Sequence, residues 1–113
     1  MGAAHRARRR QPAPEAMAEI VHSARAVEGL ERALRSLLDQ DPAAAATGAE
    51  AIAGAVHHLA QHPLVGRRIE GDLRELVISL GATGYIALYR YLPQENQVRV
   101  LALRHQREIG YLP

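Results

Sequence analysis

The fold is decided by residues 73–104, LRELVISLGATGYIALYRYLPQENQVRVLALR, in which two turn-rich connectors separate three runs of mainly apolar residues. The runs Leu73–Leu80, Tyr85–Leu92 and Val98–Arg104 have a period of two and predict three β-strands. The connectors GATG and PQEN are too short for a crossover, so neighbouring strands should be antiparallel. Both strand faces carry apolar residues. We therefore expect one face to pack on helices and the other to be covered at least partly by something else.

Two helical patterns precede these strands. From Ala24 onward, apolar residues recur every three or four positions behind Ser23, a good N-cap. The pair Asp41–Pro42 suits the start of a second helix, and Pro63 ends it. The predicted apolar stripe of the first helix is Val27, Leu30, Leu34 and Leu37 or Leu38. That of the second is Ala45, Ala49, Ile52, Val56, Leu59 and Ala60.

A short strand, Ala18–His22, is predicted ahead of the first helix because it contains two adjacent β-branched residues. The order of elements is then β-α-α-β-β-β. This order predicts an α+β fold in which a helical hairpin packs on an antiparallel sheet. On the first helix, the pairs Glu28–Arg32 and Glu31–Arg35 have the spacing of favourable ion pairs.

The composition excludes several kinds of site. The 113 residues include no cysteine, which rules out disulfides, zinc–thiolate sites and cysteine nucleophiles. All 14 basic residues are arginine, which stays charged and binds phosphate or carboxylate through a planar fork. No apolar run approaches the roughly 20 residues that cross a bilayer, and no secretory signal is recognisable. We expect one cytoplasmic domain that uses no cofactor and has no membrane association.

Charge is unevenly distributed along the chain. Residues 1–16, MGAAHRARRRQPAPEA, carry a net charge of +3 and are predicted to form a disordered basic tail ahead of a folded domain, 17–113. The helical part, 17–66, carries −3, and the remainder, 67–113, carries +2. An acidic partner should therefore prefer the C-terminal half.

Two further groups of residues have structural interpretations that we prefer to functional ones. His58 and His62 have the spacing of metal ligands on a helix, but no third ligand follows, so we expect solvent-facing histidines and no metal. Tyr85, Tyr89 and Tyr91 share one face of a strand. They are expected to cover the sheet or a protein–protein interface rather than to stack on bases.

Several stretches resemble the RelE/ParE superfamily of bacterial type II toxins. LRELVISLGATGYIALYR (73–90) and VRVLALRHQREIGY (98–111) are similar to the C-terminal half of these proteins. AEIVHSARAVEGLERALRSL (18–37) and AEAIAGAVHHLAQHPLVGRRI (49–69) are similar to the N-terminal half. The resemblance implies a hetero-oligomer with a cognate antitoxin, whose acidic segment wraps around apolar and basic surfaces of the toxin.

The resemblance leaves the target open. RelE-like members cut mRNA in the ribosomal A site, whereas ParE-like members bind and block DNA gyrase. Because the HQRE ending is closer to the ParE side, we favour a gyrase inhibitor. The alternatives are a ribosome-dependent mRNA endonuclease and a non-toxic domain that binds nucleic acid through its arginine tail.

If the chain cuts RNA, it needs a proton-transferring group and cations around the phosphate. His105 would transfer protons, with Glu108 or Tyr111 assisting. The expected catalytic residues are Arg74, Arg90, His105 and Arg107. His105 and Arg107 should share one side of an extended chain. The competing interpretation is structural, with Arg74 and Arg90 paired to nearby carboxylates and the HQRE segment holding the C-terminus on the fold.

Overall fold

A computed structural model describes residues 17–80 and 83–107, which form two helices packed on a five-stranded sheet. The predicted basic tail, 1–16, lies outside the described residues. The elements are, in chain order, β1 (Glu19–His22), α1 (Ala24–Gln40), α2 (Pro42–Gln61), β2 (Arg67–Glu70), β3 (Leu73–Leu80), β4 (Thr83–Leu92) and β5 (Gln97–His105). The strand order is β1-β5-β4-β3-β2. The predicted α+β class and helical hairpin are confirmed.

The sheet differs from the expectation in two respects. β3, β4 and β5 are antiparallel as predicted, but β1 runs parallel to β5 because the helical hairpin separates the two strands along the chain. β2 was not predicted, since its sequence RRIE lacks apolar alternation and all four residues are exposed. It forms at the free edge of β3, where Arg67 pairs with Glu75.

Both helices begin at the predicted caps. The Ser23 side chain accepts a hydrogen bond of 3.0 Å from the Ala26 N–H, and its hydroxyl donates to the Leu101 carbonyl. Asp41 caps α2 through a 3.1 Å bond from the Ala43 N–H, with Pro42 at the first turn. The turn between the helices is therefore a single capping residue.

The helix face that packs on the sheet consists mainly of small residues. On α1, the buried positions are Ala26, Gly29, Ala33 and Leu37. A Cβ at Gly29 would collide with the Leu103 carbonyl oxygen, so α1 lies directly against the β5 backbone. Of the predicted stripe, Leu37 is buried, Leu30 and Leu34 are partly buried, and Val27 and Leu38 are exposed. The spacing of apolar residues alone did not show whether the small or the large residues of α1 face the sheet.

The core lies between the helices and one face of the sheet. Tyr85, Ala87 and Tyr89 of β4 point into it, packed against Ile52 and Leu59 of α2 and against neighbouring strands. Tyr85 and Tyr89 are 4% and 0% exposed. The prediction that these rings cover the sheet is therefore confirmed for both. Their burial beneath the helices leaves the opposite sheet face uncovered by any described element.

Candidate functional site

The sheet face turned away from the helices, here called the open face, combines an apolar centre with charged residues. Strand alternation and the pairing register assign to it Leu73, Glu75, Val77, Ile86, Leu88, Arg90, Leu92, Arg99, Ala102 and Arg104, of which Ala102 is itself buried. Val77 is 60% exposed. The second apolar face expected from the sequence is therefore present and available to a partner.

Arginines lie close together on this face. Arg90 of β4 is directly opposite Arg99 of β5, an arrangement of like charges that disfavours strand pairing. The Arg90 Nε is buried without a hydrogen bond and lies 3.7 Å from the Asp72 carboxylate, while the Arg99 Nε donates to the Gln97 side chain. An anionic group placed between the two arginines would relieve their repulsion, so the face suits an acidic partner.

Arg74 lies on the other side of the sheet. It is opposite Tyr89, on the face that covers the core. Its Nη1 donates to the carbonyl oxygens of Leu64 at 3.1 Å and Gly66 at 2.8 Å. This guanidinium therefore fixes the loop that joins α2 to β2.

Tyr89 anchors the same loop from within. Its hydroxyl donates to the Pro63 carbonyl and accepts from the Gly66 N–H, both at 2.8 Å. Burial raises the pKa of this hydroxyl above 10.0, although the Gly66 bond and the Arg74 charge act in the opposite direction. These contacts give the segment HPLVGR (62–67) a structural role, which is to hold the loop between α2 and β2 in place.

His105 is engaged at both ring nitrogens. Its Nδ1 accepts a 3.0 Å bond from the Arg107 N–H, so the Nε2 carries the proton and donates to the Thr83 hydroxyl. The Tyr85 ring meets the imidazole edge-on, with centroids 5.2 Å apart. β5 ends at His105, and Arg107 lies in the following turn, so the expected extended chain through both residues is wrong.

A groove of about 360 Å³ lies beside His105, between α1 and the end of β5. Arg32 and Arg35 of α1 line it together with Asp39 and Tyr85. Among the described residues, neither of these arginines forms a hydrogen bond or an ion pair, so the predicted Glu28–Arg32 and Glu31–Arg35 pairs are absent. The groove therefore offers cations next to a histidine.

The expected catalytic residues do not meet in one cleft. Arg74 and Arg90 point to opposite faces of the sheet. His105 pairs with Tyr85, four residues along β4 from the Tyr89 opposite Arg74, a separation of about 13 Å. Only His105 and Arg107 are adjacent, and the suggested assistants Glu108 and Tyr111 lie outside the described residues.

Sequence analysis did not identify Arg99, Asp72, Arg32 or Arg35 as candidate site residues. For Arg99 a signal existed, because strands that flank the connector PQEN pair Leu92 with Gln97 and therefore Arg90 with Arg99.

His58 and His62 have ring centroids 4.7 Å apart, but the described part of the chain holds no group of three potential metal ligands. None of its helices is long and apolar enough to cross a membrane.

Comparison with known proteins agrees with this architecture. The model of the family described as "ParE toxin of type II toxin-antitoxin system, parDE" matches residues 20–110. Toxin RelE3 of Caulobacter vibrioides is 38% identical over 84 residues, which cover 74% of this chain and 89% of the relative. The family match spans both helices and the sheet. The chain therefore belongs to the ParE toxin family, within the RelE/ParE superfamily of type II toxins.

Proposed function

We propose that the protein binds and inhibits DNA gyrase, and that its cognate antitoxin neutralises it by binding the open face of the sheet. Membership of this toxin family implies an antitoxin partner. The arginines around the apolar centre of the open face suit an acidic, amphipathic segment. Neutralisation would then bury side chains such as Val77 that are exposed in the free toxin.

The dispersal of the candidate catalytic residues is the observation that carries the choice of gyrase. Arg74 is bonded to two loop carbonyls, Arg90 lies on the opposite face, and both nitrogens of His105 are engaged. RNA cleavage needs cations and a proton-transferring group around one phosphate. An inhibitor that acts by binding alone has no such requirement.

A second candidate, RNA cleavage, is favoured by the groove next to α1. There His105 lies with Arg32 and Arg35, which have no partners among the described residues. The RelE3 relative carries the name of the RNA-cutting branch. In this alternative, the two α1 arginines replace Arg74 and Arg90 as the phosphate-binding cations.

Two assays on the purified protein separate these candidates. One measures supercoiling of relaxed plasmid by DNA gyrase, and the other maps cleavage of mRNA on translating ribosomes by primer extension. The proposal expects loss of supercoiling with intact mRNA. Cleavage in the A site with normal supercoiling would overturn it, and loss of that cleavage in Arg32→Ala/Arg35→Ala, but not in Arg99→Ala, would establish the alternative.

A further inference from the structure

The helical layer carries a second apolar surface, distinct from the open face. Four of the five large apolar side chains of α1 lie on one stripe that is only partly buried: Val27, Leu30, Leu34 and Leu38. Val27 is 42% exposed and Leu38 is 56% exposed. Because the sheet packs on the small residues of α1 instead, these larger side chains remain accessible.

This stripe borders a groove of about 420 Å³ formed by three elements, which we call the hairpin groove. Its walls are α1, α2 and the edge strand β1. Most of the lining is apolar: Ile20, Leu30, Leu34, Ile52, Ala53 and Val56. The exposed histidines His22 and His57 also line it. β1 is the last strand of the sheet order, so no other described strand covers its outer edge.

Helical spacing places two carboxylates, here called the rim carboxylates, beside the hairpin groove and outside its lining residues. Glu31 lies three residues before Leu34 on α1, and Glu50 lies three residues before Ala53 on α2, which places each on the groove side of its helix. Both are exposed, and within residues 17–80 and 83–107 neither makes an ion pair or a hydrogen bond. The expected partner of Glu31, Arg35, lines the groove next to His105 instead.

We infer that the hairpin groove binds a basic, apolar segment of the toxin's protein target. The inference rests on the proposed function, because it assigns a surface to gyrase binding. Rim carboxylates without partners favour an occupant with Arg or Lys flanking apolar side chains and disfavour an acidic antitoxin segment. An enzyme that handles DNA carries such basic elements where it contacts phosphates. The two faces of the toxin then select partners of opposite charge.

The test measures the affinity of the full chain for purified DNA gyrase and for its cognate antitoxin. The groove variants are Ala53→Glu and the double charge reversal Glu31→Arg/Glu50→Arg. Gly54→Glu is the matched control for the first, because the neighbouring Gly54 is exposed and a Cβ there meets nothing within 4 Å. Glu28→Arg/Glu95→Arg reverses two exposed charges that do not line the groove, and it therefore controls for the same change in net charge.

Both groove variants should bind gyrase about tenfold more weakly or worse, since rim charges and buried apolar contact are both altered. The controls should change gyrase affinity by less than about twofold, and all variants should retain antitoxin affinity, which also reports that they are folded.

If the wild type binds gyrase and the groove variants bind equally well, this inference fails but the proposed function stands. Loss of antitoxin affinity with unchanged gyrase affinity would assign the groove to the antitoxin, and a wild-type dimer dissociated by Ala53→Glu would assign it to a second copy. A wild type that does not bind gyrase overturns the proposed function and this inference together.

Discussion

The Tyr89 hydroxyl lies 2.8 Å from the backbone nitrogen of Gly66, and this contact joins the centre of the sheet to the loop that follows α2. The same hydroxyl donates to the Pro63 carbonyl at 2.8 Å, so one fully buried side chain holds both ends of the loop. Arg74 adds two bonds from the neighbouring strand. The exposed side chains of Leu64 and Val65 are thereby carried on a fixed backbone.

Replacing Tyr89 by Phe should lower the free energy of unfolding by about 1–3 kcal/mol, because the Gly66 N–H and the Pro63 carbonyl lose their hydrogen-bond partner. Urea denaturation followed by far-UV circular dichroism measures this difference. Tyr91→Phe is the matched control. Its hydroxyl makes one bond, to the Asn96 side chain in a partly buried turn, and its loss should cost less. Equal losses for the two variants would contradict the assigned role of Tyr89.

The stability of the wild type should also depend on the ionisation of Tyr89. Since burial raises the pKa of this hydroxyl above 10.0, the unfolded chain releases the proton at a lower pH than the folded chain. The stabilisation is fully present below pH 10.0 and is lost as the pH rises through the folded pKa. Between about pH 9 and pH 11, the wild type should lose more free energy of unfolding than Tyr89→Phe. Identical pH profiles for the two proteins would disprove this coupling.

Gly66→Ala and Gly54→Ala should change stability in opposite directions. A Cβ at Gly66 would lie 2.6 Å from the Tyr89 ring and 2.7 Å from the Glu75 carbonyl oxygen, so the free energy of unfolding should fall by about 1–3 kcal/mol. At Gly54, inside α2, nothing lies within 4 Å, and alanine should raise it by about 0.5–1 kcal/mol. Thermal or urea unfolding of both variants provides the measurement, and destabilisation by Gly54→Ala would count against the described packing of α2.

The predictable part of the fold was that specified by local sequence. Alternation gave β3 its observed bounds, and the capping residues Ser23 and Asp41 gave both helix starts. The four-residue connector between β4 and β5 also determines the pairing of Arg90 with Arg99, which the sequence analysis did not predict. In each case the determining residues lie within a few positions of the element that they specify.

The rest depended on contacts between distant segments. β2 has no apolar alternation, and its pairing with β3 is set by the neighbouring strand and the Arg67–Glu75 ion pair of 2.7 Å. The role of Arg74 depends on loop carbonyls eight and ten residues away, and no sequence motif predicts these hydrogen bonds. On α1, small and large stripes were both plausible contact faces, and only the close approach of Gly29 to β5 decides which one is buried.

The open face provides the last expected outcome, which concerns the antitoxin. Val77→Asp removes an apolar side chain that is 60% exposed and adds a negative charge beside the surface assigned to an acidic segment. Antitoxin affinity should fall about tenfold or more, because apolar burial is lost and like charges repel. Protein stability should change by no more than about 1 kcal/mol, the range of strand preferences at exposed positions.

Val65→Asp makes the same substitution at an apolar residue that is 51% exposed but lies in the loop after α2 rather than on the open face. Isothermal titration of each variant with the purified antitoxin compares the two surfaces directly. A weakened Val77→Asp complex beside an unaffected Val65→Asp complex places the antitoxin on the sheet, since the two changes differ in location and not in chemistry. The reverse pattern would move the antitoxin to the loop held by Tyr89 and leave the Arg90–Arg99 juxtaposition without a partner.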